Sequence, residues 1–350
     1  MNIFCTLFDS NYLDKGVVLY RSLEETECDF KLYVLAMDEK CLSVLKRMKL
    51  SHLILIDLKN FETDDLKRIR KERSRQEYCW TCGCFTIKYV LEHYREAICT
   101  YIDADMLFYS STKVLFDEFE ESGKSVGIMQ HRFPDCAEGR AQEQLSGKYC
   151  VEFNTFKNDE NGKRVLEWWC NKCLEECIGQ GTGGDFGDQK YLDRWEKIFD
   201  CVYVYQHPGA GVAPWNVSQY RIARNRTGEK EDILLRIKNA EESFPLIFYH
   251  FHQVIYLNRN RASMGINLRP GKADRIWKEI YRQYLMRLDK VRKELEKNSF
   301  IDLYASTKYE TLPGKLRQAG SYLKSDCNIL LKCSLIWRIL IRRDRDIISF

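Results

Sequence analysis

The sequence has no uninterrupted apolar run of about eighteen residues, so it predicts no membrane-spanning helix. It has little charge of either sign in excess. The net charge is +4 over 350 residues, which gives nucleic acid no general electrostatic footing. The opening Met1-Asn2-Ile3-Phe4-Cys5 runs directly into a strand pattern, with neither the basic region nor the apolar core of a signal peptide. Two phosphate-binding fingerprints are also missing. No Gly-x-Gly-x-x-Gly follows the first strand, and there is no Gly-x-x-x-x-Gly-Lys-Ser/Thr. A sheet that binds a nucleotide without either must hold the phosphates another way, and a metal ion does so directly. No internal repeat is visible. What remains is ordinary for a globular chain, 45% hydrophobic and 30% charged, which excludes wholesale disorder and fibrous classes. The length suits one large domain with an extension, or two domains.

Cysteine is abundant: there are 15. The odd count without a signal peptide predicts reduced thiols and a cytoplasmic protein. Cys79, Cys82 and Cys84 form one cluster, and Cys170, Cys173 and Cys177 another. Six thiolates suit zinc or an iron–sulfur cluster. The spacing i, i+3, i+7 beside Trp168 and Trp169 instead describes the apolar face of a helix, and that reading is the stronger.

Hydrophobic periodicity predicts strands at 2–8, 30–37, 52–58 and 98–102. Helices are predicted at about 12–25, 38–50, 63–73 and 85–94. Alternating elements of these lengths imply a doubly wound α/β fold, with a mostly parallel sheet flanked by helices. Further on, strands are expected at 125–130, 149–156, 201–205 and 245–251, and helices at 159–178 and 273–296. Residues 134–147 read as an irregular loop.

The chemistry centres on Tyr101-Ile102-Asp103-Ala104-Asp105. An apolar strand drives into two carboxylates, and ligands gather at the carboxyl ends of parallel strands. In an extended segment residues i and i+2 point the same way, so Asp103 and Asp105 are expected to converge. Two like charges together call for a cation, here Mg or Mn. The bland alternative is a capping or solvated pair. His250 and His252 end a later strand and offer an imidazole ligand, although one buried and one exposed histidine without a metal is the simpler reading of their spacing. Asp185, Asp188 and Gln189 follow a Gly-rich loop, where carboxylates suit a helix start or sugar hydroxyls. Asn154 and Asn216 are polar residues in apolar or loop surroundings. Lys88 is a cation available to a diphosphate, or a lysine on a solvated helix face.

These residues together resemble the GT-A nucleotide-sugar glycosyltransferases, most closely the family-eight group. Phe4-Cys5-Thr6-Leu7-Phe8-Asp9-Ser10-Asn11-Tyr12, with Gly16 and Tyr20-Arg21-Ser22-Leu23, resembles that family's nucleotide-binding start. Tyr101 to Asp105 resembles its Asp-x-Asp motif, Gly187-Asp188-Gln189 its Asp-Gln element, and His250-Phe251 its C-terminal His element. The resemblance covers about residues 1–255. It implies a GT-A domain over 1–258 and a helical extension over 259–350. It implies that Thr6, Leu7, Phe8, Asp9 and Tyr12 hold uracil and ribose, that Asp103, Asp105 and His250 bind Mn, and that Asn154, Asp188, Gln189 and Asn216 face the donor sugar or acceptor. The implied reaction is sugar transfer with retention from a UDP-sugar to a glycan or lipid-linked acceptor, as in polysaccharide biosynthesis. The family's usual Gly and Lys-Pro-Trp after the histidine are replaced here by Gln253-Val254-Ile255-Tyr256, so one diphosphate contact has no counterpart.

Residues 322–350 mix Ile329, Leu335, Trp337 and Leu340 with Arg338, Arg342 and Arg343. That pattern suits a helix lying on the inner face of a membrane or one docked on the main domain. Two other functions stay open. One is an aspartate-nucleophile phosphohydrolase of the haloacid-dehalogenase type, which pairs an Asp-x-Asp with a motif like Gly184-Asp185-Phe186-Gly187-Asp188 but places the former after its first strand. The other is a non-catalytic, membrane-associated nucleotide-sugar-binding module.

Overall fold

The first residues build a strand because Ile3, Cys5 and Leu7 alternate with Phe4, Thr6 and Phe8, so both faces are apolar enough to be covered. The computed structural model describes residues 1–179, 186–227, 230–238, 240–258, 260–264, 275–303 and 347–349. The chain divides into two compact units, Met1–His131 with Ser146–His207, and Arg132–Leu145 with Pro208–Phe350.

The first unit holds β1 (Asn2–Phe8), β2 (Phe30–Ala36), β3 (Leu53–Asp57), β4 (Ile98–Ile102), β5 (Met106–Phe108), β6 (Val126–Gln130), β7 (Tyr149–Lys157) and β8 (Val202–Val204). Seven of these form one sheet in the order β3-β2-β1-β4-β7-β6-β8. Its pairings are parallel except those of β7, which runs against β4 and β6. The mostly parallel α/β architecture expected from the sequence is therefore observed. The chain winds outward from β1 through β2 to β3, then returns to place β4 on the other side of β1. Such a reversal opens a crevice at the carboxyl ends of the two strands, where Asp9 and Asp103 follow β1 and β4.

Helices cover both faces. They are α1 (Leu13–Thr26), α2 (Glu39–Met48), α3 (Leu58–Phe61), α4 (Asp64–Glu72), α5 (Arg75–His93), α6 (Lys113–Glu121), α8 (Glu160–Glu175) and the short α9 (Trp195–Ile198), while α7 (Ala137–Ser146) belongs almost wholly to the second unit. Ile3, Cys5 and Leu7 share a core with Leu66 of α4, Cys82, Cys84 and Ile87 of α5, and Leu166, Trp169, Cys170 and Cys173 of α8. The opposite face carries Phe4 against Phe116 of α6 and Phe8 against Gly16 of α1. The described cysteines are all free. Cys82, Cys84, Cys170, Cys173 and Cys177 pack into that one core, as the helix-face reading anticipates.

Three elements differ from expectation. α5 begins ten residues earlier than the predicted 85, because Ser74 and Glu77 form a capping box there. The stretch 134–147 was expected to be irregular and instead carries α7. β7 is antiparallel where the strand–helix alternation implied parallel pairing.

The second unit contains β9 (Tyr220–Thr227), β10 (Lys230–Ile237), β11 (Phe244–Pro245), β12 (Phe248–His250), β13 (Ile255–Asn258), β14 (Arg261–Ser263), β15 (Ile347–Ser349) and α10 (Arg275–Lys297). The antiparallel pair β9–β10, extended by β11, was not foreseen. α10 was, and it buries Trp277, Ile280, Tyr281, Tyr284 and Leu288 at helical spacing. Tyr249 and Phe251 pack on it, Phe251 stacking on Tyr284 at 3.8 Å between ring centroids. Most of the segment 322–350 lies outside the described residues; its end, β15, pairs with β14. No helix among the described residues is long and apolar enough to cross a membrane.

Candidate functional site

β4 ends at Ile102, and Ala104–Asp105 is a turn closed by Met106 N–H donating to the Asp103 carbonyl at 3.3 Å. The extended i, i+2 geometry assumed from the sequence therefore does not hold through the motif. Asp103 continues the side of the sheet that faces α5: the Tyr101 hydroxyl donates to its Oδ1 at 3.2 Å. Asp105 is 8% exposed and lies near Lys15 of α1. The carboxylates thus belong to the two sides of one strand end.

On the α5 side, Tyr101 is paired with Cys5 of β1 and Asn154 of β7. Residues paired directly across a ladder share a face, so Asn154 sits beside Tyr101. It is wholly buried, and neither its Nδ2 nor its Oδ1 has a hydrogen-bond partner among the described residues. A buried amide left unsatisfied costs about 1–3 kcal/mol, and such a group in a cleft is what a polar ligand would satisfy. Asp188 reaches the same place. Its Oδ2 lies 3.6 Å from where a Cβ on Gly83 of α5 would stand, and the Tyr101 ring lies 3.9 Å from that point. The Trp169 indole N–H donates to the Asp188 carbonyl at 2.9 Å. Burial, and then the nearby Asp103 carboxylate, push the Asp188 carboxyl well above the ordinary aspartate range. Gln189 donates from Nε2 to the Ser146 carbonyl at 2.7 Å. The expected helix opening at Asp188 is a turn followed by a short 3-10 segment, Lys190–Arg194. Asp185 lies outside the described residues.

On the α1 side, Thr6 is fully buried and its hydroxyl has no partner among the described residues, Phe8 is buried, and Tyr12 is exposed. The Lys15 ammonium sits 3.6 Å from the Tyr12 ring centroid. Burial alone would lower the Lys15 pKa; Tyr12 and the carboxylates of Asp105 and Asp14 outweigh it and raise it instead. Asp9 accepts from Asn11 N–H at 2.8 Å and from Arg75 Nε at 2.6 Å. Arg75 Nη2 also bonds Asp38 at 3.0 Å, which ties the ends of β1 and β2 to the start of α5. Leu7, on the α5 side, is 8% exposed.

Lys88 stands with Glu92 and Asn158, and Asn158 N–H donates to the Ala97 carbonyl just before β4. Lys88 is therefore at the opposite end of β4 from Asp103, and the structure does not bring it to the crevice. In the second unit, Asn216 is buried, accepting from Ala213 N–H at 3.0 Å and donating to the Gly211 carbonyl at 2.7 Å. Its amide staples its own loop. His250 is 4% exposed; its ring, that of His252 and that of Trp215 meet edge to face at 5.4–5.6 Å.

The sequence reading missed Lys15, Arg75 and the role of Tyr101. For Lys15 the only signal is a lysine set between the apolar Leu13 and Val17. For Tyr101 it is the position two residues before Asp103.

Carboxyl oxygens are hard donors, of the kind that take Mg or Mn rather than a soft metal; Asp103 stands with Asp188 on the α5 side, while Asp105 stands with Lys15 on the α1 side.

No family model matches the chain. It is 31% identical over 260 residues to the uncharacterized protein YfnF of Bacillus subtilis, covering 73% of this chain and 83% of that one. It is 27% identical over 251 residues to the uncharacterized YfnD of the same organism, covering 71% and 76%. Among solved structures it is similar to mouse xyloside xylosyltransferase 1, with a TM-score of 0.45 and 12% identity over 72% of this chain and 98% of that one. A likeness that distant leaves the chemistry to be argued from the crevice itself.

Proposed function

The chain belongs to the protein family of Bacillus subtilis YfnF, and for it we propose a metal-dependent glycosyltransferase that moves a sugar from a nucleotide diphosphate sugar, a UDP-sugar, to a hydroxyl of a glycan or lipid-linked acceptor with retention. The observation that carries this reading is the wholly buried, unpartnered amide of Asn154 beside the carboxyl groups of Asp103 and Asp188. Those groups gather at the point where the winding of the parallel sheet reverses. Such a crevice takes a nucleotide, and without a glycine-rich phosphate loop the carboxylates supply the means of holding it through a cation.

In this reading the end of β1, from Thr6, Leu7 and Phe8 to Asp9 and Tyr12, forms the edge that holds the base and ribose. Asp103 and Asp105 hold the cation, Mn or Mg. The cation would neutralise the diphosphate as it leaves. Asn154 donates and accepts hydrogen bonds to the donor-sugar hydroxyls, which orients the ring. Asp188 and Gln189 stand by the anomeric carbon. Gln189 offers an amide oxygen to developing positive charge. The sheet edge fixes these groups before the substrate arrives, which lowers the entropic part of the barrier.

The test is hydrolysis or transfer of UDP-sugars with Mn. Asp103→Ala and Asp105→Ala are each expected to lower turnover at least about a hundredfold, in line with loss of a principal electrostatic contact. Asn154→Ala is expected to lower kcat with metal binding intact. Near-normal turnover by Asp103→Ala would remove the site assignment.

A further inference from the structure

A carboxylate that binds a cation must be held in one orientation, and the groups that hold it are as much part of the site as the ligand. Asp103 stands just past the end of β4, where its N–H donates to the Glu152 carbonyl at 3.3 Å and its carbonyl accepts from Met106 N–H at 3.3 Å; these hold its backbone and leave the carboxylate to be oriented through the side chain. The side chain that steadies it comes from the same strand. Tyr101 is 6% exposed, fixed by its pairing with Cys5 on one side and Asn154 on the other. Its ring is packed beside Gly83 of α5, where an added Cβ would stand in ordinary contact with both Tyr101 and Asp188. From that buried position the hydroxyl reaches Asp103 Oδ1 at 3.2 Å.

Resting on the metal-dependent reading above, we infer that Tyr101 is a positioning residue for the cation: its hydroxyl locks the Asp103 carboxylate in the orientation that receives the metal. The phenol does not touch the cation or the sugar. Its effect is on metal affinity, and it acts only through Asp103.

The experiment is direct Mn binding to metal-free protein, followed by electron paramagnetic resonance of free Mn and needing no turnover. Wild type, Tyr101→Phe, Asp103→Asn and the double variant are compared. Tyr101→Phe keeps the ring and loses one oxygen, and is expected to weaken Mn binding about 10–100-fold with an unchanged melting temperature without metal. The double variant is expected to bind no more weakly than Asp103→Asn alone, because the hydroxyl then has nothing to orient. Tyr101→3-fluorotyrosine, which keeps a hydroxyl of stronger donor character, is expected to retain wild-type affinity. Wild-type affinity in Tyr101→Phe would overturn the inference and leave the metal site standing. A Tyr101→Phe effect that adds fully to that of Asp103→Asn would overturn it too. If Tyr101→Phe lowers the melting temperature, a 3-fluorotyrosine protein that binds Mn as weakly as Tyr101→Phe overturns it as well. Absence of Mn binding by wild type would overturn both the inference and the reading beneath it.

Discussion

At position 16 the packing leaves room for hydrogen only. A Cβ there would stand 2.3 Å from the Phe8 ring, and Phe8 is itself 4% exposed between sheet and helix. Gly16 therefore sets how closely α1 lies on the end of β1, and with it the place of Tyr12 and Lys15. Gly16→Ala is expected to cost about 1–3 kcal/mol, the usual penalty for overpacking, read as a lower midpoint of urea unfolding. A variant as stable as wild type would mean that Phe8 has somewhere else to go. At this scale the motif residues were legible. Two aspartates after an apolar strand stand out in any sequence, and a tyrosine two positions earlier is readable once strand geometry is assumed. The direction of Asp105 was not legible, because the turn at Ala104–Asp105 breaks the alternation on which that inference relies. Lys15 was not legible either, since its neighbour Asp105 is ninety positions away and only the packing of α1 brings them together.

The elements at the rim of the crevice are joined by charge. Asp38 caps α2 by accepting from Cys41 N–H at 2.7 Å, and it also takes Ser10 N–H and Oγ–H and the Arg75 guanidinium. Burial acts to raise its pKa, but these hydrogen bonds and the Arg75 charge outweigh burial and hold it below the usual range. A carboxyl whose folded pKa is depressed adds stability that is present above its unfolded pKa, near 4, and is lost as pH falls through the folded value. Asp38→Ala is therefore expected to cost about 1–2 kcal/mol at neutral pH, the range for loss of a helix cap. The gap between the variant and wild type should close as the solution is taken below about pH 4. Melting curves across pH check this, and a gap that persists unchanged at acid pH would contradict it. The caps of this unit were readable from sequence at Asp38 and missed at Ser74. The run Cys79-Trp80-Thr81-Cys82-Gly83-Cys84 lacks the look of a helix and hid the start of α5, even though Ser74 and Glu77 carry a capping box in plain view. The antiparallel course of β7 could not be read, because a strand buried on both faces looks alike in either direction.

Over the whole molecule the sequence conveyed the sheet better than what surrounds it. Alternating apolar strands and capped helices specify a doubly wound sheet by local pattern, and the observed order places Asp9 and Asp103 at adjacent strand ends as that fold requires. The small sheets of the second unit arise from pairings without a comparable pattern. The strand Ile347–Ser349 returns to pair with Arg261–Ser263 from the far end of the chain. The central claim is that the crevice between β1 and β4 holds a nucleotide sugar through a cation on Asp103 and Asp105. Thermal unfolding of the metal-free protein, with each of a panel of nucleotide sugars and with or without Mn, tests it without any knowledge of the acceptor. A UDP-sugar is expected to raise the melting temperature only when Mn is present, with a stabilisation of about 2.7 kcal/mol at a hundredfold excess over its Kd, and Asp103→Asn is expected to abolish the shift. Equal stabilisation with and without Mn, equal stabilisation of Asp103→Asn, or no response to any nucleotide sugar would contradict the account.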